Sequence, residues 1–155
     1  GKKAMPNLHG PDATFEIGKA ITLSTGSDVT FIATGETVWR AVAAAELLQA
    51  EGLSAGVISM HTLKPLDEEA VLEAAERSIA LITVEEHSIY GGLGSTCASL
   101  LMEHGLHNPF MRVGIPDEYT ATGSQDEIFA HYGITPEGLV RTTLQLLSAA
   151  IPVRR

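Results

Sequence analysis

Residues Ala80 to Ser95 read ALITVEEHSIYGGLGS, and this stretch decides the fold. It opens on an apolar run, Ala80 to Val84, and turns polar at Glu85, Glu86 and His87. It then passes through Gly91, Gly92 and Gly94 into a helical pattern spanning Ser95 to Glu103. An apolar run ending in charge and followed by a glycine turn predicts a buried strand from about Ile79 to Val84, a loop, and a helix. In open α/β sheets, ligands and partners meet the loops at the carboxyl ends of the strands. Function is therefore to be sought first at this edge.

The pattern upstream repeats the same unit. Asp67 is a good N-cap, and Glu68 and Glu69 suit the positive end of a helix running to about Arg77. Before it, Ala55 to Met60 (AGVISM) reads as a strand, followed by the loop HTLKPL, residues 61–66. Val29 to Thr34 (VTFIAT) is a β-branched and aromatic run, expected as a buried strand. Thr34-Gly35-Glu36-Thr37 then leads into a helix over Val38 to Glu51, stopped by Gly52. That helix is apolar all round at Ala41 to Ala45, so it packs on more than one face. Ala20 to Ser24 is a short strand candidate. Residues 1–13 read as an arm or linker, 14–150 as one domain and 151–155 as a tail. Strands alternating with helices predict parallel pairing, right-handed crossovers and helices on both faces.

Downstream, Phe110 to Ile115 is a further strand, stopped by Pro116-Asp117. Ser124 and Glu127 have capping-box spacing and open a helix to about His131. Thr135-Pro136-Glu137 starts the last helix, in which Leu139, Val140, Leu144 and Leu147 form the expected buried stripe.

The chain has 155 residues, 45% of them hydrophobic, and a formal net charge of −9. That length buries roughly 70% of its unfolded surface without staples. The negative charge disfavours nucleic acid and anionic membrane surfaces as partners. No apolar run approaches the roughly 20 residues that span a bilayer. The single cysteine, Cys97, fits a reducing compartment, so a cytoplasmic location is expected, and it reads as a small buried hydrophobe. Gly1 in place of a starting Met suggests a trimmed, tagged or excised chain.

The candidate residues carry several chemistries. Gly92-Leu93-Gly94 matches a dinucleotide fingerprint only in part, since Cys97 stands at the third glycine position. The helix starts near Gly35, Glu36 and Thr37 and after Gly91-Gly92 could each hold an anion. Glu85, Glu86 and His87 could serve acid–base chemistry. Neighbouring side chains on an extended segment diverge, however, so Glu85 and Glu86 do not easily share one site. A carboxylate oriented by a helix N-terminus, or a partner-facing cluster of Glu85, Glu86, His87, Gly91, Gly92 and Gly94, explains them as well. His9, His61, His104, His107 and His131 read as surface or loop residues.

Five motifs in order resemble the C-terminal domain of transketolases. They are FEIGKA at 15–20, DVTFIATG at 28–35, TLKPLD at 62–67, VEEHSIYGGLGS at 84–95 and GIPDEYTATGSQDEIFAHYGIT at 114–135. The resemblance spans roughly residues 12 to 147. It extends to 1-deoxyxylulose-5-phosphate synthase and to 2-oxoacid dehydrogenase β chains. It implies a three-layer αβα domain with a five-stranded, mostly parallel mixed sheet, whose antiparallel strand is assigned to Ala20 to Ser24. It also implies an assembly, single-chain or split into two shorter chains, that transfers two-carbon ketol units between sugar phosphates with thiamine diphosphate and Mg. The family's cofactor motifs lie in upstream domains, so no catalytic, cofactor-binding or metal residue is assigned here, and the chain alone is expected to be inactive. Its expected contacts are those upstream domains and a homodimer interface. The competing reading is a free-standing nucleotide- or anion-binding module using the helix starts at Gly35 and Gly92.

Overall fold

The computed structural model describes residues 6–120 and 122–150. Five strands form one sheet: β1 (Ile21–Ser24), β2 (Val29–Ala33), β3 (Ala55–Ser59), β4 (Ala80–Ser88) and β5 (Phe110–Ile115). Five helices accompany them: α1 (Val38–Ala50), α2 (Glu68–Arg77), α3 (Leu93–Glu103), α4 (Gln125–His131) and α5 (Pro136–Ala150). A 3₁₀ turn at Gly35–Thr37 precedes α1. The strand order is β1-β3-β2-β4-β5. β1 runs antiparallel to β3, and the other pairings are parallel. This is the αβα architecture with one antiparallel strand that the motifs imply.

The central strand explains the layering. β2 is buried at all five positions, as a parallel strand covered on both faces must be. Val29, Phe31 and Ala33 join the α1 and α5 side, with Ala41, Ala44, Leu48, Leu139 and Leu147. Ile32 points to the other layer, with Val71, Ala74, Leu93 and Leu101 of α2 and α3. Burying Phe31 completely contributes about 2–3 kcal/mol by area.

The caps follow the sequence. The Asp67 side chain accepts from the Ala70 amide at 3.2 Å and from the Ala20 amide at 2.8 Å, so it starts α2 and ties the entry of β1 to it. Ser124 and Glu127 form a reciprocal capping box on α4. The Thr135 hydroxyl accepts from the Gly138 amide at 3.1 Å.

Four expectations are corrected. β4 does not end at Val84 but runs to Ser88, because its pairing with β5 resumes at Ser88–Ile115 after an irregularity. α3 begins at Leu93 rather than Ser95. α1 ends at Ala50, with Glu51 as its C-cap. On α5 the buried face is Leu139, Thr143 and Leu147, whereas Leu144 is 42% exposed. Thr143 can occupy the core because its hydroxyl donates to the Leu139 carbonyl at 2.9 Å.

Residues 6–19 contain no helix or strand. Leu8 nonetheless packs on the α1-side core. The edge-to-face rings of His9, Phe15 and His61 hold this arm to the end of β3. Lys2, Lys3 and the tail at 151–155 lie outside the described residues.

Candidate functional site

A pocket of about 380 Å³ opens at the carboxyl ends of β2 and β4. Its lining combines both predicted groups: Gly35 and Glu36 from the 3₁₀ turn, and Glu85, Glu86, His87, Gly91 and Gly92 from the opening stretch. Thr34 and Leu63 complete it. Thr37 and Gly94 are not among its walls. The Thr37 hydroxyl is buried, donating to the carbonyls of Thr34 at 2.9 Å and Val84 at 2.8 Å. Gly94 is buried against Thr83 and Arg112.

Glu85 and Glu86 separate as alternate strand positions must. Glu85 is 1% exposed, and this corrects its place on an outward edge. Its two carboxylate oxygens accept from the amides of Leu93 at 3.0 Å and Gly94 at 2.9 Å. An anion at the first turn of a helix meets unpaired amides and the positive end of the dipole. Glu85 is thus a cap for α3 supplied from the neighbouring strand. Gly92 is required beside it, because a Cβ there would collide with the Glu85 carboxylate.

The turn itself is stapled. Gly91 takes φ 74°, a left-handed conformation that glycine adopts without strain. Its amide donates to the Ser95 hydroxyl at 3.1 Å, and that hydroxyl donates to the Ile89 carbonyl at 3.0 Å. Arg112 reaches in from β5 and donates to the same carbonyl at 2.8 Å and to Ser95 at 3.2 Å.

Glu86 and His87 point outward and are exposed. The Gln125 amide nitrogen donates to Glu86 at 2.8 Å and to Glu36 at 2.6 Å, joining β4, the 3₁₀ turn and α4 across the pocket mouth. Arg40 secures α4 from below. Its guanidinium lies 4.4 Å from the Trp39 ring centre and 4.5 Å from that of Phe129, and pairs with Asp126 at 3.4 Å. Sequence reasoning does not single out Gln125, Ser95, Arg112 or Leu63 as site residues. Of these, Ser95 alone carries a local signal that could mark it, since it lies inside the opening stretch.

One expectation fails on this geometry. The helix start after Gly92 is not open to an external anion, because Glu85 already engages its amides. At the 3₁₀ turn, Thr37 is engaged internally through its hydroxyl, whereas Gly35 and Glu36 stand on the pocket wall. The site also does not fit thiamine diphosphate and its metal, since Glu36, Glu85 and Glu86 would oppose a diphosphate. Among the described residues, no group of three His, Cys, Asp or Glu side chains is placed to hold a metal ion. Cys97 is buried, and its thiol is pushed up to about 12, first by burial and then by the Glu85 charge. It is a packing residue, not a nucleophile.

Comparison with known proteins agrees with this architecture. The family model described as transketolase, C-terminal domain, matches residues 18–139. An apulose-4-phosphate transketolase subunit of Phocaeicola vulgatus is 44% identical over 95% of this chain and 47% of its own length. 1-Deoxy-D-xylulose-5-phosphate synthase of Heliobacterium modesticaldum is 41% identical over 88% of this chain and 21% of its own length. A solved structure, a split-gene transketolase described as an inactive beta4 tetramer, superposes with TM-score 0.89 at 35% identity. That match covers 97% of this chain and 49% of the other. The chain spans half or less of the length of each of these relatives. With the family model spanning the sheet and most of its helices, the chain belongs to the transketolase C-terminal domain family.

Proposed function

We propose that the chain is the C-terminal part of a transketolase-type transferase that moves two-carbon ketol units between sugar phosphates, pentose phosphates among them. Thiamine diphosphate and Mg are held by other domains, carried on the same polypeptide or on a separate one. The part played by this chain is to dock on those domains and on a second copy of the assembly, in the cytoplasm, without contributing a reacting group. The observation that carries this reading is the bridged mouth of the pocket. Gln125 ties Glu36 and Glu86 into one polar rim, with Glu86 exposed and Glu36 and Gln125 half-buried, while Glu85 is turned inward to shape the turn behind it. Such a rim is built for recognition, and charged rims set orientation and encounter rate at interfaces.

The test is reconstitution of the assembly with its thiamine-binding domains, followed by a ketol-transfer assay. Turnover is expected from the assembly and not from this chain alone. Glu86→Arg is expected to weaken docking and lower activity at limiting partner. Turnover by the isolated chain, or full dimerisation and activity in Glu86→Arg, would sink the proposal.

A second reading rests on the 41% identity to a 1-deoxy-D-xylulose-5-phosphate synthase. Under it the docking role is the same and the product differs. Formation of 1-deoxy-D-xylulose 5-phosphate by the assembly, in place of ketol transfer, would decide for it.

A further inference from the structure

We propose that Glu85 is a positioning residue for the partner-facing edge. As an anion belonging to the chain itself, it fills the seat at the start of α3 and thereby fixes the Ile89–Gly92 turn from which that edge is built. The inference rests on the docking role proposed above and names the residue on which it depends.

Four observations converge on Glu85. It is a buried carboxylate, 1% exposed, and both its oxygens are spent on the Leu93 and Gly94 amides. A buried carboxylate costs too much to serve as filler, so its two short bonds account for its presence. The space around it leaves little room for movement. A Cβ at Gly92 would collide with the carboxylate, and one at Gly114 would lie 3.2 Å from Glu85 Cγ. Gly91 and Gly92 of that turn form part of the pocket wall, and Glu86 and His87 are the next two residues along β4. The other fasteners hold the rest of the turn: Ile115, Ser95 and Arg112 engage Ile89, Ser88 engages Tyr90, Ser95 engages Gly91, and Thr96 engages the Gly92 carbonyl, whereas Glu85 engages the Leu93 and Gly94 amides at the start of α3. Releasing Glu85 therefore unties the first turn of α3 from β4, at the point where the Ile89–Gly92 turn enters the helix.

Glu85→Gln keeps the shape and one good acceptor but sets an amide N–H₂ against a backbone N–H. Glu85→Ala empties the seat. In both variants of the 155-residue chain, the Leu93 and Gly94 amides are expected to exchange with solvent about tenfold faster or more, while amides of β2 and β4 stay protected. In the reconstituted assembly, the apparent affinity for the thiamine-binding domains is expected to fall about tenfold, with kcat at saturating partner unchanged. Acetate is expected to restore slow exchange and docking in Glu85→Ala by refilling the seat, and to do nothing for wild type. A role in stability alone would give a different pattern: a lower melting temperature with docking intact and no acetate rescue. That pattern overturns the proposal. So does protection of Leu93 and Gly94 within about twofold of wild type in both variants. Should wild type itself not dock, the docking role fails, and the exchange and acetate measurements still decide whether Glu85 orders the turn.

Discussion

Gly94→Ala tests whether the packing behind the turn is as tight as the distances imply. A Cβ at residue 94 would lie 2.6 Å from Arg112 Cγ, 2.6 Å from Thr83 Oγ1 and 2.8 Å from Arg112 Cδ. Thr83 is fully buried on β4 and cannot withdraw. Arg112 is flexible in principle, but its guanidinium is committed to Ile89 at 2.8 Å and to Ser95 at 3.2 Å. Overpacking of this kind costs about 2 kcal/mol. Displacing Arg112 from its acceptors adds about 1 kcal/mol. Replacing glycine by alanine within a helix returns about 0.7 kcal/mol. The net expectation is a loss of about 2 kcal/mol, read by urea denaturation as a lower midpoint with an unchanged slope. Arg112→Ala removes two of the three close atoms. In that background the same substitution should cost about 1 kcal/mol, giving a coupling of similar size. A Gly94→Ala protein within about 0.5 kcal/mol of wild type, or an equal cost in both backgrounds, would refute the reasoning.

Further expectations follow from single groups. Asp67→Ala should cost about 2–3 kcal/mol in urea denaturation, because it strands the Ala70 and Ala20 amides together, and Asp67→Asn about 1 kcal/mol; equal costs would contradict the double role. The Ser124 side chain and backbone hold Glu127 below the usual carboxylate range. A lowered folded-state value means stability that is present above the unfolded value, about 4.3, and lost as pH falls through the folded one. Ser124→Ala should therefore flatten the decline in stability between about pH 5 and pH 3, measured by urea midpoints across that range. The Cys97 thiol, pushed up to about 12 by burial and then by Glu85, should resist thiol reagents at neutral pH in the native protein and react at once on unfolding; fast native labelling would contradict its burial.

The elements are legible because each carries a local signal. Asp67 and Ser124 announce their helices by capping chemistry, and the β-branched run at Val29 announces the central strand. Leu144 misleads because hydrophobicity alone favours a stripe through it. The observed stripe runs through Thr143, whose hydroxyl is satisfied within its own helix. At the site, the divergence of Glu85 from Glu86 follows from strand alternation, but its sense does not. Leu81 to Val84 are buried on both faces, so parity there carries no inside or outside label. The bridge from Gln125 to Glu36 and Glu86 spans 89 and 39 residues, a separation that no local pattern encodes. Arg112 is similar: in sequence it is one cation on a strand, and only the β4–β5 register brings it beneath the turn.

The central claim is that the edge built from residues 86–92 and the 3₁₀ turn faces the thiamine-binding domains. Hydrogen–deuterium exchange of this chain, free and docked in its assembly, reads that surface directly. The account predicts that new protection on docking falls on residues 34–37, 61–66 and 86–92. Protection confined to the groove lined by Leu23, Gln49 and Leu53, or to the outer edge of β5, with residues 86–92 unchanged, would contradict it.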